Sequence, residues 1–209
     1  MKSRKKNKAS TEAEILNTEY ITTDLSLLEL ENDLSPEDQL RKLGIYYIPT
    51  DIIRESLLPI QQDMLLKHIT QFPNKLTLIV NSEGGSIDAT WGLINIIDFI
   101  SQDVETVGIG TVCSAAVGIL AAGTRGLRRA TKETLLMTHR LSWGFDGSEP
   151  QLMAATDGLK LAHAREVAFW LKHSNLSTKE EVENLILKQT DKWMTATEAK
   201  ELGIIDIIV

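Results

Sequence analysis

Val104-Glu-Thr-Val-Gly-Ile-Gly-Thr-Val-Cys-Ser-Ala-Ala-Val-Gly-Ile-Leu-Ala-Ala-Gly123 decides the fold. Val104 to Ile109 is a short apolar run with β-branched residues, the pattern of a buried strand. Ser114 to Ala122 is a run of small and apolar residues that reads as a close-packed helix closed by Gly123. Val107 to Gly123 carries no charge. A membrane span needs about 20 apolar residues. This run is shorter and rich in Gly, Ala, Ser and Thr, so a buried strand followed by a helix is the better reading.

The same alternation extends on both sides. Ile52–Phe72 has apolar residues at helical spacing, Leu76–Val80 is a buried strand, Asn81–Gly85 a turn and Ser86–Ile100 an apolar helix. Leu135–Thr138 is another strand, and Glu149–His173 reads as one long helix. Ser177 with Glu180 and Thr195 with Glu198 form capping boxes for helices over 178–188 and 196–202, the second ended by Gly203. Ile204–Val209 closes the chain as a strand. Strands alternating with helices imply repeated βαβ units, an α/β fold with a mostly parallel sheet covered by helices.

The chain has 209 residues, 43% of them hydrophobic, enough for one full-sized core. The net charge of −7 gives no reason to expect a nucleic-acid partner, whose phosphates need a basic surface. One cysteine, Cys113, permits no internal disulfide. The basic opening Met1–Lys8 is followed by no apolar segment of signal-peptide kind. These features place the expected protein in the cytoplasm, without a membrane anchor. Residues 1–40 read as a largely disordered tail and 41–209 as the folded domain.

Three segments carry chemistry. Ser114 sits where a strand gives way to a helix, beside orphan N–H groups and the positive end of the helix dipole. That place suits a nucleophile with donors for developing negative charge, and it also suits a serine that only caps a packed helix. His139 ends the strand 135–138. It is either the base that a serine nucleophile requires or a strand-end histidine without a role. His68, His163 and His173 fall in helices without metal-ligand spacing and read as structural or solvated. Asn81-Ser-Glu-Gly-Gly85 links a strand to a helix; its glycines free N–H groups for an oxyanion or simply make a tight turn. The G-x-G-x-x-G spacing of dinucleotide sites is absent from it.

Together these segments resemble the proteolytic subunit of the Clp protease. That family's Asn-Ser-Pro-Gly-Gly turn is similar to Asn81–Gly85, and its Gly-x-x-x-Ser nucleophile segment to Gly110-Thr-Val-Cys-Ser114. Its Met-x-His strand is similar to Met137-Thr-His139. Its Asp-Arg-x-x-(Ser/Thr)-Ala-x-Glu-Ala segment is similar to Asp191–Ala199, and its ending to Leu202-Gly-Ile-Ile-Asp206. The 29 residues from Gly85 to Ser114 and the 25 from Ser114 to His139 fit the family without gaps.

The resemblance covers roughly residues 41–209. It implies the Clp protease/crotonase-like fold with a protruding handle. It also implies a serine endopeptidase with Ser114, His139 and Asp191 as catalytic triad, and the backbone N–H groups of Gly85 and Ala115 as oxyanion hole. No cofactor or metal is implied. The implied partners are polypeptide substrates, identical subunits in a seven-membered ring or stacked rings, and an ATPase unfoldase.

Four departures stand out. Glu83 replaces the turn proline, which loosens the turn and puts a carboxylate near the site. Ala115 stands where the family has Met, and Arg140-Leu141 where it has Gln-Pro. Residues 142–150 hold a short insertion in the handle. Such divergence fits a distant relative, a phage-encoded one included. Competing readings are a phage head-maturation protease of the same fold, a crotonase-like acyl-CoA enzyme, a Ser-Lys peptidase and a catalytically dead ring subunit.

Overall fold

The computed structural model describes residues 34–209. The tail expected over residues 1–33 lies outside them. The expected boundary at residue 40 falls inside helix α1, Pro36–Lys42. Ser35 caps this helix by accepting from the Asp38 N–H at 3.2 Å. Pro36 occupies its first turn, where a missing N–H costs nothing.

The chain continues through β1 (Ile45–Ile48), α2 (Arg54–Thr70), β2 (Lys75–Ser82), α3 (Ile87–Phe99) and β3 (Asp103–Cys113). After these come α4 (Ala115–Ala121), β4 (Arg128–Ala130), β5 (Leu135–Thr138) and α5 (Glu149–His173). It ends with α6 (Lys179–Leu185), β6 (Lys192–Thr195), α7 (Ala196–Glu201) and β7 (Ile207–Ile208). Strands β1-β2-β3-β4-β7 form one parallel path, and β5 joins β3 in parallel and β6 antiparallel. The α/β architecture and the helix-flanked, mostly parallel sheet are those the alternation predicts.

β3 is the spine of the site. Its first half pairs with β4 (Thr106↔Arg128 to Gly108↔Ala130) and its second half with β5 (Thr111↔Leu135 to Cys113↔Met137). Between them the register against β2 slips, from Val80↔Gly108 to Ser82↔Val112. Gly110 sits in this bulge at φ 62°, and the Asn81 side chain fills the gap by accepting from the Thr111 N–H at 3.2 Å. The bulge re-aims the end of β3 toward β5, and with it Ser114.

All seven residues of α4 are buried. Its small side chains let it sink onto the sheet, where Leu120, fully buried, anchors it. Truncating such a leucine to alanine typically costs about 2–5 kcal/mol. The uncharged run from Val107 to Gly123 is thus strand and core helix. No helix among the described residues is long and apolar enough to cross a membrane.

Three local expectations shift. Gly123 does not close α4 by a left-handed turn, because Ala122 ends it in a right-handed conformation. A glycine is needed there for close approach instead: a Cβ would fall 2.5 Å from Thr106 Oγ1. The cap of α6 is Thr178 with Glu181, one residue beyond the expected pair. The terminal strand is only Ile207–Ile208, since Asp206 bends back to bind Arg128.

The handle helix α5 buries residues only from Val167 onward. Its first turns stand away from the core and leave Leu152, Met153, Leu159 and Leu161 exposed. The preceding segment, with Trp143 and Phe145 exposed, has no regular structure.

Candidate active site

Ser114 stands at the turn between β3 and α4 with φ 54° and ψ −124°. A serine rarely adopts positive φ, and such strain costs of order 1–3 kcal/mol. The surroundings over-determine it. The Ser114 N–H donates to the Met137 carbonyl at 2.6 Å, and the Val117 N–H donates to the Ser114 carbonyl at 3.1 Å. Strained in this way, the side chain points out of the elbow and toward β5.

His139 meets it there. The register Cys113↔Met137 leaves each strand two residues or fewer from the site, so Ser114 and His139 emerge side by side. Ser114 Oγ and His139 Nε2 lie 2.8 Å apart. The other ring nitrogen, Nδ1, lies 2.8 Å from the Arg140 carbonyl oxygen. A carbonyl only accepts, so Nδ1 carries the proton, and Nε2 is the acceptor for the serine hydroxyl. This is the tautomer a general base needs.

Asp191 immediately precedes β6 and is exposed. Thr138 pairs with Lys192 as the last step of the ladder, so His139 and Asp191 each lie one residue beyond it. No hydrogen bond joins the two among the described residues. The Asp191 charge acts on Cys113 instead. Burial first, then the Glu83 carboxylate by its charge and a hydrogen bond, then Asp191, push the Cys113 thiol up to about 12. The expected carboxylate near the site is therefore present, and it rests against Cys113, the neighbour of Ser114.

The turn before α3 is pinned by four hydrogen bonds, none of them made by Glu83. The Ser82 hydroxyl donates to the Thr50 carbonyl at 2.6 Å, and the Gly84 N–H donates to that hydroxyl at 3.1 Å. The Ile52 N–H donates to the Gly84 carbonyl at 2.7 Å and the Ser86 N–H to the Ile52 carbonyl at 2.6 Å. This bridge leaves the Gly85 N–H out. Ala115 is the first residue of α4, so its N–H has no partner within the helix. Both residues line the cavity that opens at Ser114 and His139. Gly84 (φ 98°) fits under the elbow only without a side chain, since a Cβ would lie 2.7 Å from the Cys113 carbonyl oxygen.

The cavity holds about 340 Å³. Ile94, Trp91, Phe169 and Trp170 give it apolar walls. The aromatic rings interlock edge to face, with centroids 5.5 Å apart for Trp91 and Phe169 and 5.1 Å for Phe169 and Trp170. Glu166 and Thr138 also line it and were missed in the sequence. A signal existed for Glu166: it lies three and four residues before Phe169 and Trp170, on the face of α5 that the core covers. The other histidines are structural, as expected. His68 accepts from the Ser101 N–H at 3.3 Å, His163 meets Glu183 at 2.8 Å, and His173 donates to the Ala121 carbonyl at 3.1 Å.

A strained serine on a strand-to-helix elbow, a correctly tautomerised histidine and free N–H groups beside a cavity define a serine hydrolase. The family model described as Clp protease matches residues 33–209, and the chain belongs to that family. It is similar to ATP-dependent Clp protease proteolytic subunit 1 of Thermobifida fusca (strain YX), 31% identical over 85% of this chain and 79% of that one. It is also similar to subunit 2 of the same organism, 29% identical over 92% and 93%. Subunit 2 of Nocardia farcinica (strain IFM 10152) is 28% identical over 82% and 83%. The protein is a serine-type endopeptidase, a hydrolase, and the identities fit the divergence read from the motifs.

Proposed function

We propose that the chain hydrolyses peptide bonds with Ser114 as nucleophile, His139 as general base and acid, and Asp191 as the carboxylate that stabilises the charged imidazole. The observation that carries this reading is the 2.8 Å contact between Ser114 Oγ and His139 Nε2 at the mouth of the cavity. As Ser114 attacks the scissile carbonyl, Nε2 takes its proton, and the oxyanion forms toward the N–H groups of Gly85 and Ala115. The imidazolium then returns that proton to the leaving amine. Water repeats the sequence on the acyl-enzyme. The Arg140 carbonyl fixes the tautomer, and Asp191 contributes the negative charge that a carbonyl lacks.

The enzyme acts on polypeptides as a homo-oligomeric ring in the cytoplasm, fed by an ATPase unfoldase. Support comes from the family and from the names of its relatives, which are subunits of an ATP-dependent protease. The exposed apolar residues Leu66, Ile69, Phe72 and Phe99, together with those of the handle, are surfaces that subunit contacts would cover.

A fluorophosphonate probe tests the chemistry: peptide mapping should find it on Ser114, and Ser114→Ala should remove it. Labelling that persists in that variant refutes the assignment, and absence of labelling returns the crotonase-like alternative. Light scattering with peptide and folded-protein substrates tests the assembly. A monomer that degrades folded protein unaided would refute the ring.

A further inference from the structure

The cavity beside Ser114 contains two buried acceptor atoms that the fold does not satisfy. Glu166 Oε2 and Thr138 Oγ1 are both buried and have no hydrogen-bond partner among the described residues. Both residues line the cavity. Orphaned buried polar atoms are rare in folded proteins and call for a partner. A carboxylate can only accept, and a hydroxyl can accept as well. What is missing is a donor that enters from the cavity.

We propose that this cavity selects a residue ending in a basic nitrogen, lysine foremost, on the acyl side of the scissile bond, and that Glu166 reads it. The proposal rests on the reading of Ser114 as nucleophile, because that places the cavity beside the acyl-side residue. A lysine matches the site in two ways. Its ammonium brings three donors and no acceptor, which suits two unsatisfied oxygens. Its methylene stem suits walls made by Trp91, Phe169 and Trp170.

Two cationic side chains act on Glu166, and one histidine shares its cavity. Arg140 approaches from the segment after β5, Arg165 from α5 itself, and His139 lines the same cavity. Neither arginine satisfies the carboxylate. Arg140 leans toward Glu183 at 3.6 Å, and Arg165 lies over the Trp91 ring at 4.3 Å. Burial pushes the Glu166 carboxyl up to about 7, against the pull of Arg140 and Arg165. The site is therefore neutral in mild acid and anionic in mild base, and its preference for a cation follows that change. His139 serves both peptides in the same role, so its part cancels in a ratio of two.

The test uses the full chain and two fluorogenic peptides of one composition, acetyl-Ala-Leu-Lys and acetyl-Ala-Lys-Leu aminomethylcoumarin. The ratio of their kcat/KM values, first over second, should rise about tenfold from pH 6 to pH 8.5 in the unaltered enzyme. Glu166→Gln should flatten that rise and lower the ratio at pH 8.5 by about tenfold. A ratio that is flat with pH in the unaltered enzyme overturns the proposal without need of any variant. So does a ratio unchanged by Glu166→Gln. Turnover of neither peptide, with no fluorophosphonate on Ser114, overturns the nucleophile reading and this proposal with it. Cleavage of the leucine-ended peptide with an indifferent ratio overturns the specificity alone.

Discussion

Thr138 of β5 and Lys192 of β6 are antiparallel partners, and His139 follows the first and Asp191 precedes the second where the chain leaves the ladder. The ladder thus brings together two segments that carry a histidine and an aspartate 52 residues apart in sequence.

That pairing sets the expected effect of Asp191→Asn. The Arg140 carbonyl keeps the His139 proton on Nδ1, so the tautomer survives the change. What is lost is the charge opposite the imidazolium. Turnover of a short peptide should fall by about 10²–10⁴-fold, with circular dichroism and melting temperature unchanged. Near-normal turnover would show that another group stabilises the imidazolium.

Cys113 is the immediate neighbour of Ser114 and should nevertheless be inert. It is fully buried, and burial and the Glu83 carboxylate hold its thiol near 12. Only the thiolate reacts. Iodoacetamide at pH 8 should alkylate the folded protein at least about 10³-fold more slowly than the urea-unfolded chain. Equal rates would mean that the elbow opens in solution.

Elements with a local signal were legible, and those made by distant partners were not. Leu135–Thr138 and Glu149–His173 are found with the bounds their patterns predict. β4 escapes detection because two of its three residues are arginines. Arg128 is buried there only because Asp206, 78 residues later, binds it. β1 (Ile45-Tyr-Tyr-Ile48) is made of strand-forming residues and β6 holds two, but each is only four residues long, too short for its pattern to single out. Ser177-x-x-Glu180 and Thr178-x-x-Glu181 satisfy one capping pattern equally well, and geometry decides: the N–H groups of both Ser177 and Thr178 donate to Glu181. In the site, Ser114 and His139 were singled out by their places in the chain, and only the order of all the motifs favoured a catalytic reading over a structural one. The strain at Ser114 and the orphaned oxygens of Glu166 and Thr138 exist only in three dimensions.

Arg128 and Asp206 close the C-terminus. Their side chains meet at 2.6 Å, with Arg128 2% exposed, and Arg128 also donates to the His173 carbonyl at 2.6 Å. Burial raises the Asp206 carboxyl, but hydrogen bonds from the Arg128 guanidinium and from the Arg128 and Gly126 N–H groups outweigh it and hold the carboxyl below its usual range. Arg128→Met leaves that carboxylate with only its two backbone N–H donors and should cost about 1–3 kcal/mol in urea unfolding. A loss under 1 kcal/mol would show that solvent replaces the guanidinium.

His173 and Glu166 give stability opposing pH dependences. Burial, aided by Lys172, pushes the His173 imidazole down to about 4, and the ring stacks on Phe169 with centroids 4.4 Å apart. An unfolded histidine titrates near 6.5. Between those values the unfolded chain holds the extra proton, so this group lowers stability as pH falls from about 6.5. Glu166 does the reverse. Its folded carboxyl titrates near 7 and its unfolded one near 4.5, so the folded state holds the extra proton and this group raises stability as pH falls from about 7. Each contributes a slope of at most about 1.4 kcal/mol per pH unit, and over pH 5–6 the two should nearly cancel. Urea unfolding at stepped pH separates them. His173→Gln should leave a protein that gains stability as pH falls through this window, and Glu166→Gln one that loses it. If both variants keep the slope of the unaltered chain, neither group changes its protonation on folding, and the burial that links the handle helix to the cavity is looser than its side chains indicate.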